Sequence, residues 1–74
     1  MSNKLFAGRL NQALDDIGVP ERLEERIEVF SKLAKIHRFK AETLLSGAVP
    51  PDAALLTLLA QEFEVSEHWL LGQD

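Results

Sequence analysis

Apolar residues return every three or four positions along this chain and nowhere alternate with polar ones. Phe6, Leu10, Ala13, Leu14 and Ile17 form one such stripe, and Ile27, Phe30, Leu33 and Ala34 form a second. Side chains at these spacings share one face of a helix, whereas a half-buried strand needs period two. The pattern therefore excludes a sheet and predicts an all-α bundle whose helices bury their stripes against one another. Glycine and proline supply the punctuation. A first helix over 3–17 ends where Gly18 suits a left-handed cap and Pro20 prevents resumption. Residues 21–25 are charged, with Leu23 their one apolar side chain, and read as a loop or loose turn before a second helix over 26–34. A short third helix, 37–46, sets Ala41, Leu44 and Leu45 on one side and stops at Gly47, Pro50 and Pro51. Residues 52–63 form a Leu-rich fourth helix with Pro51 at its first turn. Ser66 N-caps a brief last helix, 67–71, closed by Gly72.

Five short helices in 74 residues make one domain, and a chain this small buries only about 60% of its unfolded surface. It has no cysteine, which removes disulfides, thiolate zinc sites, iron–sulfur clusters and thiol catalysis together. Stability must then come from well-packed helices or from oligomerisation. The longest apolar stretch, 53–60, is interrupted by Thr57 and falls well short of the roughly 20 residues that span a bilayer. No apolar signal core follows the N-terminus, so a cytoplasmic protein without membrane contact is expected.

Charge divides the chain. The net charge is −4, which taken whole disfavours nucleic acid. Yet all eight Lys and Arg lie at or before Lys40, leaving residues 1–40 at +2 and residues 41–74 at −6. Between Val29 and Ala41 there is no acid, while Lys32, Lys35, Arg38 and Lys40 all occur there with His37. Such a window is either an electrostatic footprint or a solvated helix face.

Residues 27–46 have the make-up of two helices meeting at a sharp angle. Phe30 and Leu33 supply the inner face of the first, and Ser31 is the small residue that lets the pair approach. Ile36 plugs the turn, and Ala41, Leu44 and Leu45 supply the inner face of the second. With Gly47 and Pro50 behind it, this segment resembles the Cro and phage-repressor-type (XRE-like) helix-turn-helix family. Phe6-Ala7-x-Arg9-Leu10 is similar to that family's first helix. Val49-Pro50, Ala54-Leu55-Leu56-x-Leu58-Leu59-Ala60 and Phe63-x-Val65-Ser66-x-x-Trp69-Leu70-Leu71-Gly72 are similar to its fourth and fifth. The resemblance covers essentially the whole chain and implies a compact five-helix, lambda-repressor-like domain. Lys35 stands where the family usually has glycine. A lysine held left-handed costs about 1 kcal/mol relative to glycine, so a distorted or differently wound turn is expected. Residues 20–25 also lengthen the link between the first two helices.

The resemblance implies a sequence-specific DNA-binding transcriptional regulator, a repressor, which lays the helix at 38–46 in the major groove. Carried over by position, Arg38 and Phe39 meet base edges, with Glu42 and Thr43 one turn on. Arginine can bond guanine O6 and N7 together, and glutamate can accept from cytosine N4. Lys32, Lys35, Lys40 and Ser46 become phosphate contacts that fix register without reading sequence. Phe39 either contacts a thymine methyl or tucks into the core beside the turn. His37, where the family has a small capping residue, is expected to cap the helix. The partners implied are double-stranded DNA and a second copy of the chain. Leucines covering more than one face of the fourth helix suggest a homodimer surface of Leu55, Leu58, Trp69 and Leu70.

Other functions find less in the sequence. His37 and His68 are 31 residues apart with no third ligand at zinc spacing. No nucleophile motif or phosphate-binding glycine loop occurs, so neither enzyme activity, a metal nor a cofactor is expected. The competing reading is a protein-interaction module that keeps the fold and has lost DNA binding. The acidic second half, Lys35 at the turn and an outward Phe39 suit it, since an exposed aromatic among cations makes a good protein anchor.

Overall fold

The computed structural model describes residues 3–73, and within them five helices follow one another: α1 Lys4–Asp16, α2 Leu23–Ala34, α3 Arg38–Ser46, α4 Ala53–Phe63 and α5 Glu67–Leu71. No strand occurs among the described residues, and the fold is all-α. Among the described residues no helix is long and apolar enough to cross a membrane. The stripes read from the sequence become one core: Phe30, Leu10, Leu14, Leu44, Leu59 and Leu70 are its fully buried large side chains, one or more from each helix. Val19, Leu33, Ile36, Leu58, Val65, Trp69 and Leu71 pack around its edge. The Cα radius of gyration, 10.9 Å, matches the roughly 11 Å of a compact chain of this length.

Outside α2, whose Lys35 and Ile36 N–H groups both return to the Ser31 carbonyl, the helices end in the same way. The last two backbone N–H groups fold back onto carbonyls five and three residues earlier: Val19 to Leu14 and Gly18 to Asp15 after α1, Ala48 to Thr43 and Gly47 to Leu44 after α3, Gln73 to His68 and Gly72 to Trp69 after α5. After α4 the pairs are Val65 to Ala60 and Glu64 to Gln61, and after α2 Ile36 donates to Ser31. This double closure needs one left-handed residue. Glycine provides it at 18, 47 and 72, but Lys35 (φ 58°) and Glu64 (φ 56°) adopt it without that help. The distorted turn expected at Lys35 is therefore corrected. Its φ and ψ of 58° and 45° are those a glycine would take, and Ile36, held by the same closure, packs against the core.

The second helix starts earlier than the sequence suggests, at Leu23 rather than 26. Its first turn adds no core apolar residue, Leu23 being 60% exposed, so periodicity is blind to it. What favours it is Glu24 and Glu25 beside the free N–H groups of the helix start. Arg26 follows and is buried, only 4% exposed. Its Nε donates to the Pro20 carbonyl at 2.9 Å, and Nη1 to the carbonyl and side-chain oxygen of Asn11 at 3.2 and 3.1 Å. Nη2 reaches the Val19 carbonyl at 2.9 Å and also pairs with the Asp15 carboxylate. One guanidinium thus closes the lengthened link between α1 and α2. Asn11 continues the network, donating to the Leu45 carbonyl at 3.2 Å and so tying α1 to the end of α3.

Candidate nucleic-acid interface

α2 and α3 are joined by Lys35, Ile36 and His37 alone, a connection of three residues. Ser31, 7% exposed, spends its hydroxyl on the Glu28 carbonyl at 2.8 Å and leaves the crossing free of bulk. α3 then begins at a side-chain cap, His37 Nδ1 accepting from the Phe39 N–H at 3.1 Å. The ring occupies the place of the small polar residues that usually satisfy this donor, and it does so only while Nδ1 carries no proton.

The orientation of α3 follows from Ala41, Leu44 and Leu45, all buried. At about 100° per residue, the direction opposite those three is occupied by Phe39, Thr43 and Ser46, with Arg38 and Glu42 on one flank and Lys40 on the other. Exposure agrees: Arg38, Phe39, Lys40, Glu42 and Ser46 are exposed and Thr43 is half-buried. Phe39, at 71%, is the most exposed large apolar residue among those described. It does not tuck into the core, because its neighbours along the helix, not its own side chain, fill the space beside the turn.

The polar residues differ in how free they are. The side chains of Arg38, Lys35 and Glu42 make no hydrogen bond or ion pair with the described residues. Lys32 pairs with Glu28 at 3.5 Å across one helical turn, both well exposed, an attachment worth little and easily released. Lys40 lies 3.4 Å from a carboxylate oxygen of Asp52. That carboxylate also N-caps α4, accepting from the Leu55 N–H at 2.8 Å. The backbone hydrogen bond first, and then Lys40, hold the Asp52 carboxyl below its ordinary pKa of 3.8. The Thr43 hydroxyl donates to the Lys40 carbonyl at 2.7 Å and that of Ser46 to the Thr43 carbonyl at 3.2 Å. Both would have to rotate before donating to a base or phosphate. The outer ridge of α3 is thus aromatic at its start, with a free cation and a free carboxylate beside it.

The surface expected for a second copy does not survive as a unit. Leu55 (7% exposed) and Leu70 (0%) are core residues, because α4 and α5 turn those faces inward to cover the other helices. Leu58 and Trp69 are half-buried and retain an outward edge. The Trp69 ring lies beneath the Arg9 guanidinium, 4.8 Å from centroid to Cζ, and Arg9 Nη1 donates to the Trp69 carbonyl at 3.1 Å. His68 is exposed on α5. No group of three His, Cys, Asp or Glu side chains among the described residues is placed to hold a metal ion. An open cleft of about 250 Å³ is lined chiefly by Leu5, Phe6, Pro50, Pro51 and Leu71, with no ionisable side chain in its lining among the described residues. Sequence reasoning passed over Arg26 as a functional or structural residue. Arg26 shares a buried stripe with Ile27, Phe30, Ser31 and Ala34, but spacing alone does not mark an arginine for burial, because its acceptors lie on other segments.

Comparisons with protein-family models, with curated proteins and with solved structures find no match to this chain.

Proposed function

We propose that the protein is a sequence-specific DNA-binding transcriptional regulator of the repressor type, with α3 as its major-groove reader. One observation carries the reading. A short helix, joined to its predecessor by a three-residue turn, presents an exposed face in a stretch that carries Lys32, Lys35, Arg38 and Lys40, all of them exposed. A groove about 12 Å wide admits such a helix. Arg38 is the base reader of first importance because its fork is unengaged. Lys35 and Lys32 supply phosphate contacts, and Lys40 joins them by leaving Asp52. A lone domain with so few cations binds weakly, and two copies on half-sites about one helical turn apart would double the contacts. Leu58 and Trp69 remain the apolar edges from which such a pairing could be built.

Selection of bound duplexes from a random pool tests this and returns the operator at once. Arg38→Ala is expected to cost about 1–3 kcal/mol on the enriched duplex and to relax one base position. Lys32→Ala should weaken binding to all sequences alike and shallow the salt dependence. Unchanged affinity and selectivity in Arg38→Ala would show that α3 does not read bases. A second reading, a protein-interaction module, draws on the 71% exposure of Phe39 and on the −6 carried by residues 41–74. It gains if the chain binds no duplex even at low salt.

A further inference from the structure

We propose that Phe39 reads the C5-methyl group of a pyrimidine in the major groove, so that the preferred duplex carries a methyl-bearing base at a fixed place under the start of α3. The inference rests on the docking of α3 proposed above and names what its outermost side chain recognises.

Phe39 is the second residue of α3, and the first residues of a groove-bound helix are those that meet base edges. It lies on the ridge opposite the buried Ala41, Leu44 and Leu45, 71% exposed. Any approach of this face to a surface therefore brings its ring in early. Its backbone is fixed by the bond from its N–H to His37 Nδ1, so the ring is offered from a defined helix start rather than a frayed one. A phenyl group has no donor or acceptor, and cannot satisfy the N7, O6, N6 or N4 positions that line the groove floor. The apolar group there is the methyl at pyrimidine C5, present in thymine and in 5-methylcytosine. The hydrogen-bonding alternatives on the same ridge are engaged, since the Thr43 and Ser46 hydroxyls donate to carbonyls of their own helix. Arg38 and Glu42, on the flank, are left to fix the neighbouring base pairs. Aromatic wedges that unstack bases act from the minor groove, which is too narrow for a helix, so insertion between bases is not the role of this ring.

The test uses the whole chain on a duplex enriched from a random pool, resynthesised with uracil for each thymine in turn and, separately, with 5-methylcytosine for each cytosine. Uracil differs from thymine only in lacking the methyl. Burying one methyl against the ring corresponds to about fourfold in affinity. The expected result is a loss of that size at one thymine per half-site with the wild-type chain, and none with Phe39→Ala. Phe39 is too exposed for its truncation to unfold the domain, which circular dichroism of the variant checks. If uracil is neutral throughout but one 5-methylcytosine tightens binding in a Phe39-dependent way, the methyl is that of the modified base and the proposal stands. If neither substitution matters while Arg38→Ala still weakens binding, the methyl contact is overturned and the docking of α3 survives. If no duplex is enriched, both fall, and the exposed ring is left to a protein partner.

Discussion

Lys35 and Glu64 show how much a single backbone position can demand. Each ends a helix in the left-handed region, where the β-carbon crowds the neighbouring carbonyl and an L residue other than glycine is strained. The strain is accepted because the closure satisfies carbonyls that would otherwise be unpaired and delivers Ile36 and Val65 to the core edge. Replacing Lys35 and Glu64 together by glycine is expected to stabilise the fold by about 1 kcal/mol, the relief of strain exceeding the added freedom of the unfolded chain. The check is urea unfolding, where the midpoint should rise at an unchanged slope. Phe39 and Arg38 pose the opposite case, residues the fold leaves at liberty. Nothing in a sequence of alternating small groups of polar and apolar residues says whether Phe39 faces in or out. Its neighbours Ala41, Leu44 and Leu45 decide that by filling the interior themselves.

At the scale of elements, beginnings differ more than endings. α3, α4 and α5 each start at a side-chain acceptor, from His37, Asp52 and Ser66, whereas α1 and α2 show no such bond. Boundaries marked by proline, glycine or a short polar cap were readable from the residues, and α1, α3, α4 and α5 fall within a residue of where those marks put them. The start of α2 was not, because a first turn of Leu23, Glu24 and Glu25 is stabilised by charge against the helix dipole rather than by an apolar stripe. The Asp52 cap gives a pH dependence. Its carboxyl is held below 3.8, first by the Leu55 N–H and then by Lys40. Its contribution is therefore complete above the unfolded value and is lost as pH falls through the lower, folded one. Asp52→Ala should be less stable than wild type at neutral pH, and the two thermal midpoints should converge as the solution is acidified below 3.8. A gap that stayed constant across this range would mean that the carboxylate does not cap α4.

The whole molecule is held by contacts that no single helix explains. Arg26 joins the α1–α2 link, Asn11 and Asp15 through one buried guanidinium, and Asn11 carries the connection on to the end of α3. Arg26→Met keeps the stem and removes the fork, leaving the carbonyls of Pro20, Val19 and Asn11 without that donor. The expected loss is on the order of 3 kcal/mol. For a domain of this size, that is a large part of a total of about 4–11 kcal/mol. Fluorescence of Trp69, the one tryptophan, follows the unfolding, and a loss well under 1 kcal/mol would show the network to be incidental. Charge is arranged at the same scale. The Lys and Arg residues all lie before residue 41 and residues 41–74 carry acids without them, so the α4–α5 part of the surface repels a polyanion.

The residues by themselves determined that the chain is all helical, roughly where its helices lie, and which two of them are joined by a three-residue turn. Those properties follow from local spacing, from the backbone freedom of glycine and from the missing N–H of proline, all of which act within a few residues. Three matters were settled only when the helices packed. Arg26 went inside, because its acceptors come from α1 and the following loop, 6 to 15 residues away. Leu55 and Leu70 joined the core rather than an outer face, because a helix that is apolar on several sides buries whichever side its neighbours reach first. Phe39 stayed outside for the same reason, the room beneath α3 being already taken.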